Sequence, residues 1–212
     1  MNMERPKPEA ESKKEIIELD LEIEKKVQLE ASKYLMGRGS WDKPHTEATV
    51  DWLKQLIQAE GGNERILVPA AWLHDIGYNL SEIKSLDYDG VLKIKEQHAQ
   101  LGADEARKIL SELGDFTAEE IEEISRLILI HDELEQLSEK ANDNVIRLVE
   151  ADSLGMIDDR VNPKYSNFSQ ADIQRFLETE FLPQRLPLFR SELAKQKAGE
   201  LSEKLKKAYE IE

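Results

Sequence analysis

The residues whose types and spacing could do chemistry in this chain are four histidines and a few aspartates. They are His45, His74, His98 and His131, with Asp75 directly after His74, Asp132 directly after His131, and Asp152 further on. The histidines fall on apolar stripes at the offsets of 3, 4 and 7 that mark one helix face. His45 aligns with Ala48, Thr49, Trp52 and Leu56, and His74 with Leu67, Ala70 and Ala71. His98 lies between Ile94 and Leu101, His131 follows Ile124, Leu127 and Ile128, and Asp152 follows Val145, Leu148 and Val149. A buried polar group without a partner costs about 1–3 kcal/mol, and an isolated buried carboxylate costs far more. One such histidine alone reads as a hydrogen-bonded core residue. Five polar residues on five helices read instead as ligands converging on a divalent cation.

With no cysteine in 212 residues, thiolate zinc sites, iron–sulfur clusters, disulfide scaffolds and cysteine nucleophiles are excluded. Imidazole mixed with carboxylate suits one or two divalent transition-metal ions, manganese or iron first, with cobalt, nickel, zinc or magnesium compatible. Against 29 Lys and Arg stand 44 Asp and Glu, a net charge of −15. A surface that acidic is unsuited to long nucleic acid. The longest apolar run, Ile66–Leu73, is far short of the roughly 20 residues that span a bilayer. The charged start MNMERPKPEAESKK, with two prolines, reads as a disordered lead-in over residues 1–12, not a secretory signal. A cytoplasmic protein without membrane contact is the expectation.

These side chains require helices to position them, and the chain reads as a succession of helices. The pattern predicts one from a Ser12–Glu15 capping box to about Met36, a loop over Gly37–Pro44, and a second helix over His45–Glu60. A third runs from an Asn63 cap to Gly77, and a fourth spans Gly90–Leu113. The fifth, capped by Thr117 with Glu120, ends near His131, and the sixth covers Asn142–Ile157. Residues 78–89 read as irregular or one short turn. The tail from Val161, with Pro163, Pro183 and Pro187, reads as two more helices. No alternation predicts a convincing strand. The expected fold is all-α: a single-domain helical bundle over residues 13–160, with a C-terminal helical extension, 161–212, packed on the same domain. The last helix packs on the core or mediates a homodimer.

The pair His74-Asp75 gains specificity from a histidine 29 residues before it and an aspartate 77 residues after, each on its own helix. On His45, LHDIGYN with His74 and Asp75, and VEADSLGMID with Asp152, the chain resembles the HD-domain metal-dependent phosphohydrolase superfamily over roughly Ala31–Asp158. HAQLGADEARKIL with His98 and ILIHDE with His131 are similar to the extra histidine segments of its two-metal subgroup. The resemblance implies that His45, His74, Asp75 and Asp152 hold one ion, and His98 and His131 a second, with Asp75 bridging and positioning the nucleophilic water. It implies hydrolysis of a phosphate ester, a phosphomonoester or phosphodiester of a nucleotide or another small phosphorylated metabolite, by a metal-bound hydroxide.

Asp132 could orient His131 or carry a proton. Lys43, Arg38, Lys84, Arg147 and Arg160 are the basic residues near the ligands that could meet phosphate; Tyr78 and Trp41 could line the pocket, while Trp52 and Trp72 suit packing. Tyr78 stands where some members carry lysine or glutamate, and no Gly-Tyr-Pro motif is present, so the substrate is left open. Two further readings share the ligand set: a mixed-valence di-iron oxygenase of a small alcohol or phosphonate, and a non-catalytic metal-binding regulatory protein.

Overall fold

The helices begin where the sequence supplies a cap. Asp20 accepts N–H groups of Glu22 and Ile23 and opens α1 (Leu21–Ser32). A 3-10 turn at Gly39–Trp41 leads into α2 (Asp42–Glu60), whose Pro44 lies in the first turn, where a missing N–H costs nothing. Then come α3 (Glu64–Leu73), α4 (Gly77–Leu80) and α5 (Tyr88–Leu113). Thr117 and Glu120 form the capping box of α6 (Ala118–Ile130), and Asn142 caps α7 (Asp143–Met156). A Ser169–Asp172 capping box opens α8 (Gln170–Phe176), which runs on into a π-helical stretch, Leu177–Arg185, with Pro183 inside it. Ser191 caps α9 (Glu192–Ala208). This computed structural model describes residues 15–82, 88–134, 137, 141–161 and 168–211; Ser12, the lead-in, Lys84 and Pro163 lie outside them.

The all-α expectation holds, with local corrections. The first helix starts at Leu21, because Ile16 and Ile17 form β1 (Ile16–Ile17) and pair in parallel with β2 (Gly62–Asn63). Two-residue strands leave no alternation to read. Asn63, held in that pairing, makes no side-chain cap for α3. The second helix begins at Asp42 instead of His45. The third ends at Leu73 instead of Gly77: bonds three residues apart, from Ile76 N–H to Leu73 O and from Tyr78 N–H to Asp75 O, replace the α-helical pattern and turn the chain there.

α2 lies along α7, α5 along α6, and α3 packs among α2, α6 and α7, with α1 against α3 and α9 against α7. Leu53, Leu56, Ile57, Leu67, Leu73 and Ile124 are fully buried at these contacts. Each such side chain contributes about 1.5–3 kcal/mol of burial energy. Two glycines set the closest approaches. A Cβ on Gly155 of α7 would lie 2.3 Å from Thr49 Oγ1 of α2, and one on Gly77 would lie 1.9 Å from the His98 carbonyl oxygen of α5. Gly155 is one turn after Asp152, so its closeness to α2 brings Asp152 alongside His45. Among the described residues no helix is long and apolar enough to cross a membrane.

Candidate metal centre

Five helices deliver the predicted ligands to one buried point. His45 projects from the first turn of α2, His74 and Asp75 from the turn after α3, His98 from the middle of α5, His131 from the end of α6, and Asp152 from α7. The four histidines and Asp152 are at most 1% exposed, deeper than a solvated cluster would be.

Backbone carbonyls decide which ring nitrogen faces inward. His74 Nδ1 donates to Ala71 O at 2.8 Å, His98 Nδ1 to Lys95 O at 2.6 Å, and His131 Nδ1 to Ile128 O at 2.6 Å. A carbonyl only accepts, so each Nδ1 carries a proton and each neutral ring turns an Nε2 lone pair to the centre. His45 is held differently, by Trp41 stacked on its ring at 4.2 Å. Its Nε2 reaches the same point.

The Nε2 atoms meet in two pairs, His45 with His74 at 3.2 Å and His98 with His131 at 3.4 Å. Asp75 joins the pairs. Its Oδ2 is 3.2 Å from both His45 Nε2 and His74 Nε2, and its Oδ1 is 3.6 Å from His98 Nε2 and 3.7 Å from His131 Nε2. Asp152 Oδ1 completes the first group, 3.1 Å from His45 Nε2 and 3.3 Å from His74 Nε2. Asp132 Oδ2 faces the second, 3.5 Å from His98 Nε2. Lone pairs opposed at these distances are relieved by a positive charge between or beside them, a proton or a metal ion. Asp152 Oδ1, buried and with no aligned donor among the described residues, is open to the same positive charge. The donor set therefore fits two divalent ions, with His45, His74, Asp152 and Asp75 able to hold one, and His98, His131, Asp75 and Asp132 the other.

The electrostatics agree. Burial alone would raise Asp75, yet Arg38 and His74 hold it well below the usual carboxylate range. Burial opposes a charge on His74, but Asp75 and Asp152 push it up to about 10, a field that favours a cation at Nε2 whether proton or metal. Burial dominates at His98 and brings it down to about 4, the neutral form a ligand needs.

Two arginines hold the carboxylates from outside. Arg38, in the turn before α2, bonds Asp75 Oδ2 and Asp42 and lies over the rings of Trp41 and Tyr78 at 4.1 and 3.9 Å. Arg185 bonds Asp152 and Asp132. Tyr78 in turn stacks on His98, centroids 4.1 Å apart. A cleft of about 590 Å³, including space open to solvent, borders the centre at Arg38, Trp41, Tyr78 and Asp132. Lys95, Phe168, Phe176 and Glu180 also line it.

Of the basic residues considered for phosphate, only Arg38 is brought to the described centre. Lys43 points outward beside Glu47, 64% exposed, because it is on the opposite side of α2 from His45. Arg147 bonds the Gly61 carbonyl and lines a separate polar cleft with Glu60 and Glu150. Arg160 is tied to Asp158 and Asp51, and Lys84 lies outside the described residues. Trp41 and Tyr78 do line the cleft, and Trp52 packs inside, donating to Asp158 Oδ2 at 2.7 Å. Lys95, Asp42, Glu180 and Arg185, none of them expected from sequence, also stand around the centre. Lys95 was within reach, since it precedes His98 by three residues on one helix face. Nothing local marks Arg185.

A buried His and Asp centre inside an all-α bundle defines a class, and a comparison with protein families names it. The HD domain matches residues 44–157, more than half the chain, and the chain belongs to that family, a superfamily of metal-dependent hydrolases. The fold is similar to that of a predicted HD superfamily hydrolase from an uncultured Thermotogales bacterium, with a TM-score of 0.55 and 20% identity over 88% of this chain and 87% of that one. No curated protein matches.

Proposed function

We propose that this protein is a metal-dependent phosphohydrolase acting on a small phosphorylated molecule. The observation that carries the proposal is Asp75, whose two oxygens face separate histidine pairs beside a cleft that also holds a lysine. Two divalent ions, when bound, supply charge neutralisation for phosphoryl oxygens and an acidified water. The chain's own residues do the rest. His45, His74, Asp75 and Asp152 would hold the first ion, and Asp75 with His98, His131 and Asp132 the second. Lys95, half-buried at the cleft and 3.7 Å from Asp132 Oδ1, meets an oxygen of the phosphate. The organic part lies on the apolar wall of Trp41, Phe168 and Phe176, which suits a flat or apolar group.

The test is release of phosphate, or cleavage of a diester, from a panel of nucleotides, dinucleotides and sugar phosphates with manganese or iron. Turnover that chelator abolishes and metal restores is expected. Oxygen consumption by the reduced iron form without phosphate release would replace the proposal with an oxygenase. Ion binding with no turnover on any of the panel would replace it with a regulatory metal protein.

A further inference from the structure

Arg185 is fully buried and is among the largest side chains in the chain to be so. It ends the π-helical stretch Leu177–Arg185, outside the segment that matches the family. A buried guanidinium is tolerated only when its donors are met by carboxylates in good geometry. Here Nε donates to Glu180 Oε1 at 2.9 Å, Nη1 to Asp152 Oδ2 at 2.8 Å, and Nη2 to Asp132 Oδ1. Nη1 also approaches Ser153 Oγ at 3.4 Å.

One planar fork thus takes a carboxylate from each half of the centre. Each carboxylate has its second oxygen left for the histidines: Asp152 Oδ1 lies 3.1 Å from His45 Nε2, and Asp132 Oδ2 lies 3.5 Å from His98 Nε2. Arg38 does no equivalent work: among the described residues the carboxylates it bonds are Asp75, which faces both groups, and Asp42, which is not a candidate ligand. We infer that Arg185 is a positioning residue that sets both ion sites at once, by engaging one oxygen of Asp132 and one of Asp152 and so fixing how each carboxylate presents its other oxygen to the centre. The C-terminal extension is therefore part of the site. The inference rests on the two-ion arrangement proposed above and does not depend on the substrate.

Charge and position make opposite predictions for this residue. As a cation near the ions, Arg185 opposes their binding, so on charge alone its removal tightens them. As a brace it organises two ligands, so its removal loosens both. Lysine retains the charge, but its three donors radiate from one nitrogen and cannot reproduce the planar fork whose separate nitrogens reach Asp132, Asp152 and Glu180.

The experiment is calorimetric titration of manganese into chelator-treated full-length protein, comparing wild type, Arg185→Lys and Arg185→Met, with circular dichroism melts confirming the fold. Wild type is expected to bind two ions. Both variants are expected to bind each ion about tenfold or more weakly, the scale for losing a group that orients a ligand. In an Asp132→Asn background, Arg185→Met should weaken the second ion further by much less than tenfold, because their shared contact is already altered. A folded Arg185→Met protein that binds manganese as tightly as wild type, or tighter, overturns the inference. If Arg185→Met fails to fold, Arg185→Lys decides: wild-type affinity overturns the brace, and a loss supports it. Absence of manganese binding by wild type would instead overturn the two-ion arrangement itself.

Discussion

Asp75 Oδ1 lies 3.6 Å from His98 Nε2, although Asp75 stands in the turn after α3 and His98 on α5, and the sister oxygen of Asp75 faces His45. A single carboxylate thereby joins two groups of ligands. Asp75→Asn keeps the shape but removes the charge and one acceptor oxygen. It is expected to bind fewer than two ions per chain, measured by elemental analysis, and to lose turnover by more than about a hundredfold.

Tyr78 lies between the His98 ring at 4.1 Å and the Arg38 guanidinium at 3.9 Å. Tyr78→Phe preserves both stacks and should leave urea stability within about 1 kcal/mol of wild type. Tyr78→Leu removes them and should cost about 1–3 kcal/mol. Equal midpoints for the two variants would show that the stacking contributes nothing.

Gly77 and Gly155 test how helix approach positions ligands. Alanine at Gly155 meets Thr49 Oγ1 at 2.3 Å, with the Thr49 nitrogen and the His45 carbonyl next at 3.1 and 3.2 Å; a turn of the Thr49 hydroxyl relieves the worst of it, and the change should cost about 1–3 kcal/mol. Alanine at Gly77 meets the His98 backbone carbonyl at 1.9 Å, which cannot step aside without moving the His98 ring. Gly77→Ala should therefore melt lower than Gly155→Ala and bind less manganese.

Asp158, at the foot of α7, accepts from Trp52 Nε1 at 2.7 Å and pairs with Arg160. Burial would raise its pKa, but Arg160 and Trp52 lower it beneath the ordinary 3.8. A carboxylate depressed in the folded state contributes stability above its unfolded value and loses it as pH falls through 3.8 and below. The stability difference between wild type and Asp158→Asn should be full at pH 6 and shrink below about pH 4, read by denaturant titration across that range.

Lys95 and Lys43 make a contrasting pair. Lys95 lines the cleft 2.8 Å from Glu180, whereas Lys43 lies outside on α2. Lys95→Ala should raise KM for a phosphate ester by about tenfold, the loss of one charge-assisted contact. Lys43→Ala should leave KM and melting temperature unchanged.

How much of the site was legible follows from the range of each signal. The capping box at Thr117 and Glu120, and the stripe through His98, arise within two turns of one helix and could be read directly. The β1–β2 pairing joins residues 46 apart with two residues each, too short to leave a pattern. The choice among basic residues failed for a related reason. Nearness in sequence to a ligand favoured Lys43 and Arg147, but a helix face separates Lys43 from His45, and Arg147 turns away to the Gly61 carbonyl.

What the sequence by itself determined is that these ionisable groups point inward and that the chain is helical, because a 3.6-residue period ties each side chain's direction to its neighbours. Only the tertiary structure decided which groups meet. Thr49 against Gly155 and Gly77 against His98 set the distances between helices, and those distances bring His45 to Asp152 and Asp75 to His98. Arg185 shows the limit most plainly. It reaches Asp132 and Asp152 from 53 and 33 residues away, and no local period encodes a contact of that range.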